Sequence, residues 1–413
     1  MKLKEKNGMY LAYNDEFSEI KIRVLSKVNF NKKTGLISNI LSSYISKTNT
    51  VYKTKKEICD KCDELYSLEL GGGLTFIYNS VFYFLDVSLI DEKVLNVKYF
   101  DDALQFIKDI VFNIRIENNK LDKKTIDEIK KDLINKKRNS LANPRYRSLI
   151  HFSKNNFIDY KYTENTITNI DEFIELIDSI TDQDIIDFYN EVINSFYRGY
   201  VFGNVSDKEF DKINNLFTGP RNTKIIKYDT NIKLNDKDIE IGDDETTQSL
   251  LINTYYIDDN DNNYVVYNVF DSMIDSMEGL LMELLRTKYG IVYSASTDIS
   301  YNLKYLTIEC DIDKKNKQKC LDAIDEMFEM LHDKTILQRQ LDIAKKKYNE
   351  TFETYTENKG SVIMEVDKKV FEKRISREEE IELINKITID DILKILPNFK
   401  KVNTYFYRGD KNE

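Results

Sequence analysis

Ile174-Glu175-Leu176-Ile177-Asp178-Ser179-Ile180-Thr181-Asp182-Gln183-Asp184-Ile185 returns almost unchanged half a chain later. The second copy reads Ile381-Glu382-Leu383-Ile384-Asn385-Lys386-Ile387-Thr388-Ile389-Asp390-Asp391-Ile392. In both copies Thr-x-x-Asp has the form of a helix N-cap, with the threonine bonding the amide three residues on. An aromatic strand carrying Arg-Gly follows each copy, at Arg198-Gly199 and at Arg408-Gly409. Upstream, Phe84-Leu85-Asp86-Val87-Ser88-Leu89-Ile90-Asp91 matches Leu306-Thr307-Ile308-Glu309-Cys310-Asp311-Ile312-Asp313 in residue type and order. Solenoid repeats have far shorter periods, so this pattern predicts an α+β protein of two homologous domains in tandem. The boundary is expected near Thr218-Gly219-Pro220-Arg221-Asn222, extended by the charged run Lys233–Glu245. The expected division is a first domain at 1–217, a linker at 218–245 and a second domain at 246–413.

Composition narrows the function classes. A chain of 413 residues can bury two cores. Its net charge of -10 argues against a general nucleic-acid binder, which presents a basic face. Met1-Lys2-Leu3-Lys4-Glu5-Lys6 lacks the apolar centre of a signal peptide, and no later run reads as a membrane span. Four cysteines in so long a chain do not make a disulfide framework, which gives a cytoplasmic expectation.

The periodicity places strands at Met9–Tyr13 and Ile20–Val28, then a helix from about Lys33 to Ser46. A capped helix opens at Thr54-x-x-Glu57 and holds Cys59-Asp60-Lys61-Cys62. Zinc would need a second cysteine pair, but Cys310 and Cys320 are ten apart, and the first pair lies inside a helix, so semi-buried thiols in a helix face are the expectation. Gly71-Gly72-Gly73 is not followed by Gly-Lys-Ser/Thr, so it reads as a helix stop with close packing rather than a phosphate loop. His151, without partners at ligand spacing, is expected to be a packing or surface residue.

In the second half, Leu284-Leu285-Arg286-Thr287-Lys288-Tyr289-Gly290 reads as a helix end, with Gly290 at the left-handed position beyond it. The strand Ile291-Val292-Tyr293-Ser294-Ala295-Ser296 follows at once, so Arg286 and Tyr293 are expected to face one open surface. Read without relatives, Arg286 is a helix-end cation and Tyr293 an amphipathic strand residue.

This Arg-x6-Tyr element resembles the substrate-contacting segment in the second half of M16-type (pitrilysin/insulinase-like) zinc peptidases. In active members the helix matching 33–46 carries His-x-x-Glu-His, two zinc ligands and a general base on one helical face. Here Ser38 and Ser42 stand at the histidines and Leu41 at the glutamate. The third ligand, counted seven residues on from Glu128, falls on Asn135. The glycine-rich turn common ahead of the Arg helix is replaced by Asp271-Ser272-Met273-Ile274-Asp275-Ser276-Met277-Glu278-Gly279.

The resemblance implies the M16, LuxS/MPP-like metallohydrolase fold, each domain an antiparallel-rich sheet covered by helices. It also implies no metal or cofactor in this chain, with zinc in the partner. The implied role is the inactive, peptide-binding subunit of a heterodimeric metallopeptidase, supplying Arg286 and Tyr293 to a peptide substrate beside a zinc-bearing M16 homologue. Nearest are the bacterial zinc-less subunits of the group associated with elongation factor P modification. The alternative is a non-enzymatic scaffold of the same fold linked to translation-factor modification. Neither a membrane nor a nucleic-acid partner is expected. A stand-alone enzyme ranks below both, since no Ser/His/Asp set or nucleotide loop occurs.

Overall fold

The structure is a computed structural model that describes residues 2–217, 229–261, 263–275, 277–354 and 375–411. The chain divides into two compact units. The expected junction at Thr218–Asn222 lies outside the described residues.

The first unit is built on β1 (Lys2–Lys6), β2 (Met9–Tyr13), β3 (Glu19–Lys27), β4 (Glu69–Ile77), β5 (Ser80–Ile90) and β6 (Phe196–Gly203). Their spatial order is β1-β2-β6-β3-β5-β4, with β2 parallel to β6 and every other pair antiparallel. On β3 the alternation works as read: Ile20, Ile22 and Val24 are buried, while Arg23 on the opposite face forks onto Asp86 of β5. One face is covered by α1 (Thr34–Ile45), α2 (Lys55–Glu64), α3 (Phe100–Phe112) and α4 (Lys123–Leu141). The next helix, α5 (Pro144–Asn156), belongs to the second unit. The chain then returns with α6 (Ile170–Asp178), α7 (Asp182–Asn194) and α8 (Asp207–Leu216). Capping boxes form at Thr54/Glu57 and Thr181/Asp184, each satisfying amides that a bare helix start leaves open. The three glycines lie within β4 rather than ahead of a strand. The helix stop comes earlier, where Tyr66 and Ser67 take φ of 58° and 61°.

The second unit is built on β7 (Ile239–Asp243), β8 (Gln248–Ile257), β9 (Val292–Ser300), β10 (Tyr305–Asp313) and β11 (Phe399–Gly409). The order is β9-β10-β8-β11-β7, with β7 parallel to β11 and the rest antiparallel. From β7 inward this repeats β2-β6-β3-β5-β4 of the first unit, with the parallel pair at the same place. The duplication is thus present in topology. Residues read as linker supply β7: Ile239 and Ile241 make too short an alternation, among too many charges, to stand out in sequence.

Helices α9 (Tyr264–Ile274), α10 (Lys317–Met330), α11 (Lys334–Thr354), α12 (Arg377–Lys386) and α13 (Ile389–Ile395) bury one face of this sheet around Met273, Leu306, Ile308 and Ile324. The opposite face takes residues 141–163, which the sequence reading placed in the first domain. Asn143 caps α5 and Pro144 sits in its first turn, where a missing amide costs nothing. Phe152 packs 5.4 Å from Tyr405 and Phe157 packs 5.0 Å from Tyr305, ring to ring. Arg147 donates from Nε and Nη2 to Asp243, whose same oxygen accepts the Tyr407 hydroxyl. Asn403 donates to Asn156 at 2.7 Å, and Phe157–Ile158 pairs antiparallel with Lys233–Leu234.

Candidate functional site

Leu280–Met282 begins a helical turn that widens into a π-helix over Glu283–Lys288, a form over-represented at functional sites. The turn ends as read, with Gly290 at φ 61° and its amide bonded to the Arg286 carbonyl. Both ends are braced. Arg339 pairs with Glu283 at 2.6 Å, while Glu326 takes Lys288 on one oxygen and the Tyr289 hydroxyl on the other. These contacts occupy the carboxylates around the turn. Arg286 is exposed, and among the described residues its guanidinium has no ion-pair partner.

Tyr293 lies on β9, the edge strand of its sheet, and 56% of it is exposed. The register with β10 slips between Val292 and Ser294, making Tyr293 the extra residue of a β-bulge. The expected alternation therefore breaks here, and Tyr293 and Ser294 are both exposed. The Tyr293 hydroxyl donates to Asp313 at 3.0 Å, an engagement no sequence pattern announced. Arg286 and Tyr293 thus sit on neighbouring elements joined by one left-handed glycine, both reaching solvent on the second unit.

Strand β9 is held from its helix side by the C-terminal end of α9. Thr297 donates its hydroxyl to Asp271 and its amide to Asp275. Burial is the main cause that pushes the Asp271 carboxyl up to about 6, with Asp275 and Asp298 adding to it against Thr297 and Lys347. A carboxylate at the negative end of a helix adds to the cost. The folded chain keeps a proton there that the unfolded chain has released, so stability falls as pH rises from about 4 to about 6. Asp271→Asn should raise stability at pH 7 by about 2–3 kcal/mol at most and flatten that fall. Thermal unfolding from pH 4 to 8 checks it; an unchanged slope refutes it.

In the first unit, the positions matched to the zinc motif lie on and beside a closed face of α1. Ser38 and Leu41 are buried, and the Ser38 hydroxyl has no hydrogen-bond partner. Ser42 donates to the Ser38 carbonyl at 2.8 Å and lies 3.0 Å from the Tyr83 hydroxyl, so Tyr83 serves as its donor. Burial pushes the Tyr83 phenol up to about 12. A Cβ on Gly72 would lie 2.5 Å from that hydroxyl, so the glycine in β4 is what lets Tyr83 pack there. Asn135 is exposed on α4. A serine hydroxyl is a weak zinc ligand and leucine cannot move a proton, so these residues do not fit a catalytic zinc. Among the described residues no group of three His, Cys, Asp or Glu side chains is placed to hold a metal ion.

The cysteines form no redox centre. Cys59 is exposed, and burial pushes the Cys62 thiol up to about 11, away from the thiolate a redox pair needs. Cys310 of β10 and Cys320 of α10, ten apart in sequence, meet in the core. Their mutual hydrogen bond and burial push the Cys310 thiol up. His151 is half-buried 6.2 Å from the Tyr407 ring, and burial lowers its pKa.

Residues 179–348 match a family model described as "Peptidase M16 inactive domain". No curated protein matches the sequence. A conserved protein from Enterococcus faecalis V583 superposes with a TM-score of 0.81 at 18% identity, over 98% of this chain and 97% of that one. A peptidase M16 inactive domain from Pseudomonas fluorescens gives 0.78 at 13% identity over 100% of both chains. A protease from Helicobacter pylori gives 0.74 at 14% identity over 98% of both. From end to end the chain has the fold seen in the M16 inactive-domain structure, and a stretch covering less than half of it, residues 179–348, matches that family's model.

Proposed function

We propose that this chain is a non-catalytic M16-type subunit that binds peptide through Arg286 and Tyr293 and pairs with a zinc-bearing homologue. The observation that carries this reading is the packed face of α1. The fold is that of M16 proteins, yet Ser38, Leu41 and Ser42 stand where its zinc chemistry would be, and Tyr83 lies against them. The pair that the resemblance implies, Arg286 and Tyr293, stands exposed on the π-turn and the bulged edge strand. A substrate strand adding to the sheet edge at β9 would run alongside Tyr293.

In this division of labour the partner supplies zinc and general base, and this chain supplies donors to the peptide. The finer placement, with bacterial subunits associated with elongation factor P modification, is part of the proposal, as is a reducing, cytoplasmic setting that suits four free thiols. No membrane-spanning role is proposed: among the described residues no helix is long and apolar enough to cross a bilayer.

The test mixes the purified chain with a zinc-bearing homologue from the same cell. Peptide cleavage should appear only in the mixture, and elemental analysis should find stoichiometric zinc only in the partner. Tightly bound zinc in this chain alone refutes the reading. Assembly without cleavage of any peptide supports the scaffold role instead.

A further inference from the structure

The Tyr293 hydroxyl is not idle in the free chain. It donates to Asp313, which ends β10 beside the bulge. A phenol has one proton, so a hydroxyl committed to a carboxylate cannot at the same time donate to a substrate carbonyl. For Tyr293 to serve a peptide, its hydroxyl must leave Asp313, whose carboxylate then turns to water or to another donor.

The surroundings of Asp313 say what kind of donor fits. Its side chain is 43% exposed, and the cation near it among the described residues, Lys315, stands 3.9 Å away with its own side chain 80% exposed. The next carboxylates along β10 are already engaged. Asp311 accepts from Ser294 and Arg145, and the second arm of Arg145 reaches Glu309 at 3.4 Å. One arginine therefore faces two carboxylates, and of the three carboxylates on this strand Asp313 is the one whose cation, Lys315, stands farthest off. A neutral backbone amide would exchange poorly for the Tyr293 hydroxyl. An ammonium or guanidinium group would form a charge-assisted bond in its place.

We propose that Asp313 is a specificity-determining residue of the peptide site: a basic group of the bound peptide takes its carboxylate and releases the Tyr293 hydroxyl to the neighbouring carbonyl. The inference rests on the peptide-binding reading above and names its substrate class, peptides with Lys or Arg beside the carbonyl that Tyr293 engages. Recognition and release are then one event, since the charge that selects the peptide also frees the donor.

The test is a fluorescence-anisotropy titration of the full chain with two fluorescein-labelled extended peptides that differ at one position, Lys against Gln. The wild-type chain should bind the Lys peptide about fivefold more tightly at low salt, a preference that fades as salt screens the pair. Asp313→Asn should bring the ratio close to one, and Asp313→Lys should invert it. Tyr293→Phe should leave the Gln peptide close to its wild-type affinity, since without a basic group the hydroxyl stays on Asp313, and should keep a Lys preference, because the carboxylate remains. An unchanged Lys preference in Asp313→Lys overturns the proposal while leaving Arg286 and Tyr293 as a peptide site. Failure of a folded wild-type chain to bind either peptide overturns the peptide-binding reading and this proposal with it.

Discussion

Tyr293→Phe and Arg286→Ala should each lower peptide cleavage by the mixed pair about 10²–10³-fold, the usual cost of one lost donor to a developing oxyanion. As the scissile carbonyl becomes tetrahedral its oxygen gains charge, and a phenol proton placed there is worth more than in the ground state. Arg286 can fork onto the peptide backbone because no carboxylate of the described residues holds it. Neither change should unfold the chain. Both side chains are exposed, and Tyr293→Phe removes one surface hydrogen bond to Asp313. The check is kcat/KM of the pair, with circular dichroism and co-elution showing that folding and assembly persist. Wild-type rates in both variants would leave this chain with a scaffold role only.

Arg147→Ala should destabilise the second unit by ~3–5 kcal/mol, far above a surface ion-pair loss, because it strands a buried carboxylate. The side chains of Arg147 and Asp243 are 14% and 8% exposed, and the Tyr407 hydroxyl closes the group. Burial pushes the Asp243 carboxyl up, but the hydrogen bonds from Tyr407 and Arg147 outweigh it and hold it below the ordinary carboxylate range. A lowered folded-state value means that this stability is present above the ordinary carboxylate pKa and is lost as pH falls below it through the lowered folded-state value. Arg147→Ala should therefore lose stability at neutral pH and show a shallower acid transition than wild type. Urea unfolding at pH 7 and pH 4 measures both; an equal loss at the two pH values refutes the electrostatic account. A fragment starting at residue 230 lacks this contact and the rings of Phe152 and Phe157, and should stay unfolded until a 141–163 peptide is added.

The elements that the sequence announced are those whose signals are local. Thr181 and Thr388 cap their helices with Asp184 and Asp391, and Gly290 takes the left-handed conformation its place required. The repeat around Ile174 and Ile381 predicted a duplication that the two sheet orders reproduce. What stayed hidden depends on distant partners. The apolar stripe of α5 shows that it is buried but not against which sheet, and its partners Tyr405 and Tyr407 lie some 250 residues on. The π-turn at Glu283–Lys288 has no residue signature of its own. The bulge that breaks the alternation at Tyr293 is set by the register with β10, and the bond to Asp313 follows from it. Arg286 and Tyr293 were legible as a pair through the resemblance, whereas the residue that holds Tyr293 was not.

The strand β11 fixes an order of manufacture. It lies between β8 and β7, so the second sheet is split in two until Phe399–Gly409 has left the ribosome. Segment 141–163 emerges some 250 residues earlier, and its docking partners Tyr405 and Tyr407 are on that last strand. At roughly 5–20 residues per second the aromatic face of α5 waits on the order of 10–50 seconds without its sheet. During that interval Phe152 is open to chaperones and to neighbouring nascent chains. A stop codon placed after Leu216 and before Phe399 should therefore release a chain whose first sheet can form and whose second never closes, a substrate for proteolysis rather than a shortened subunit.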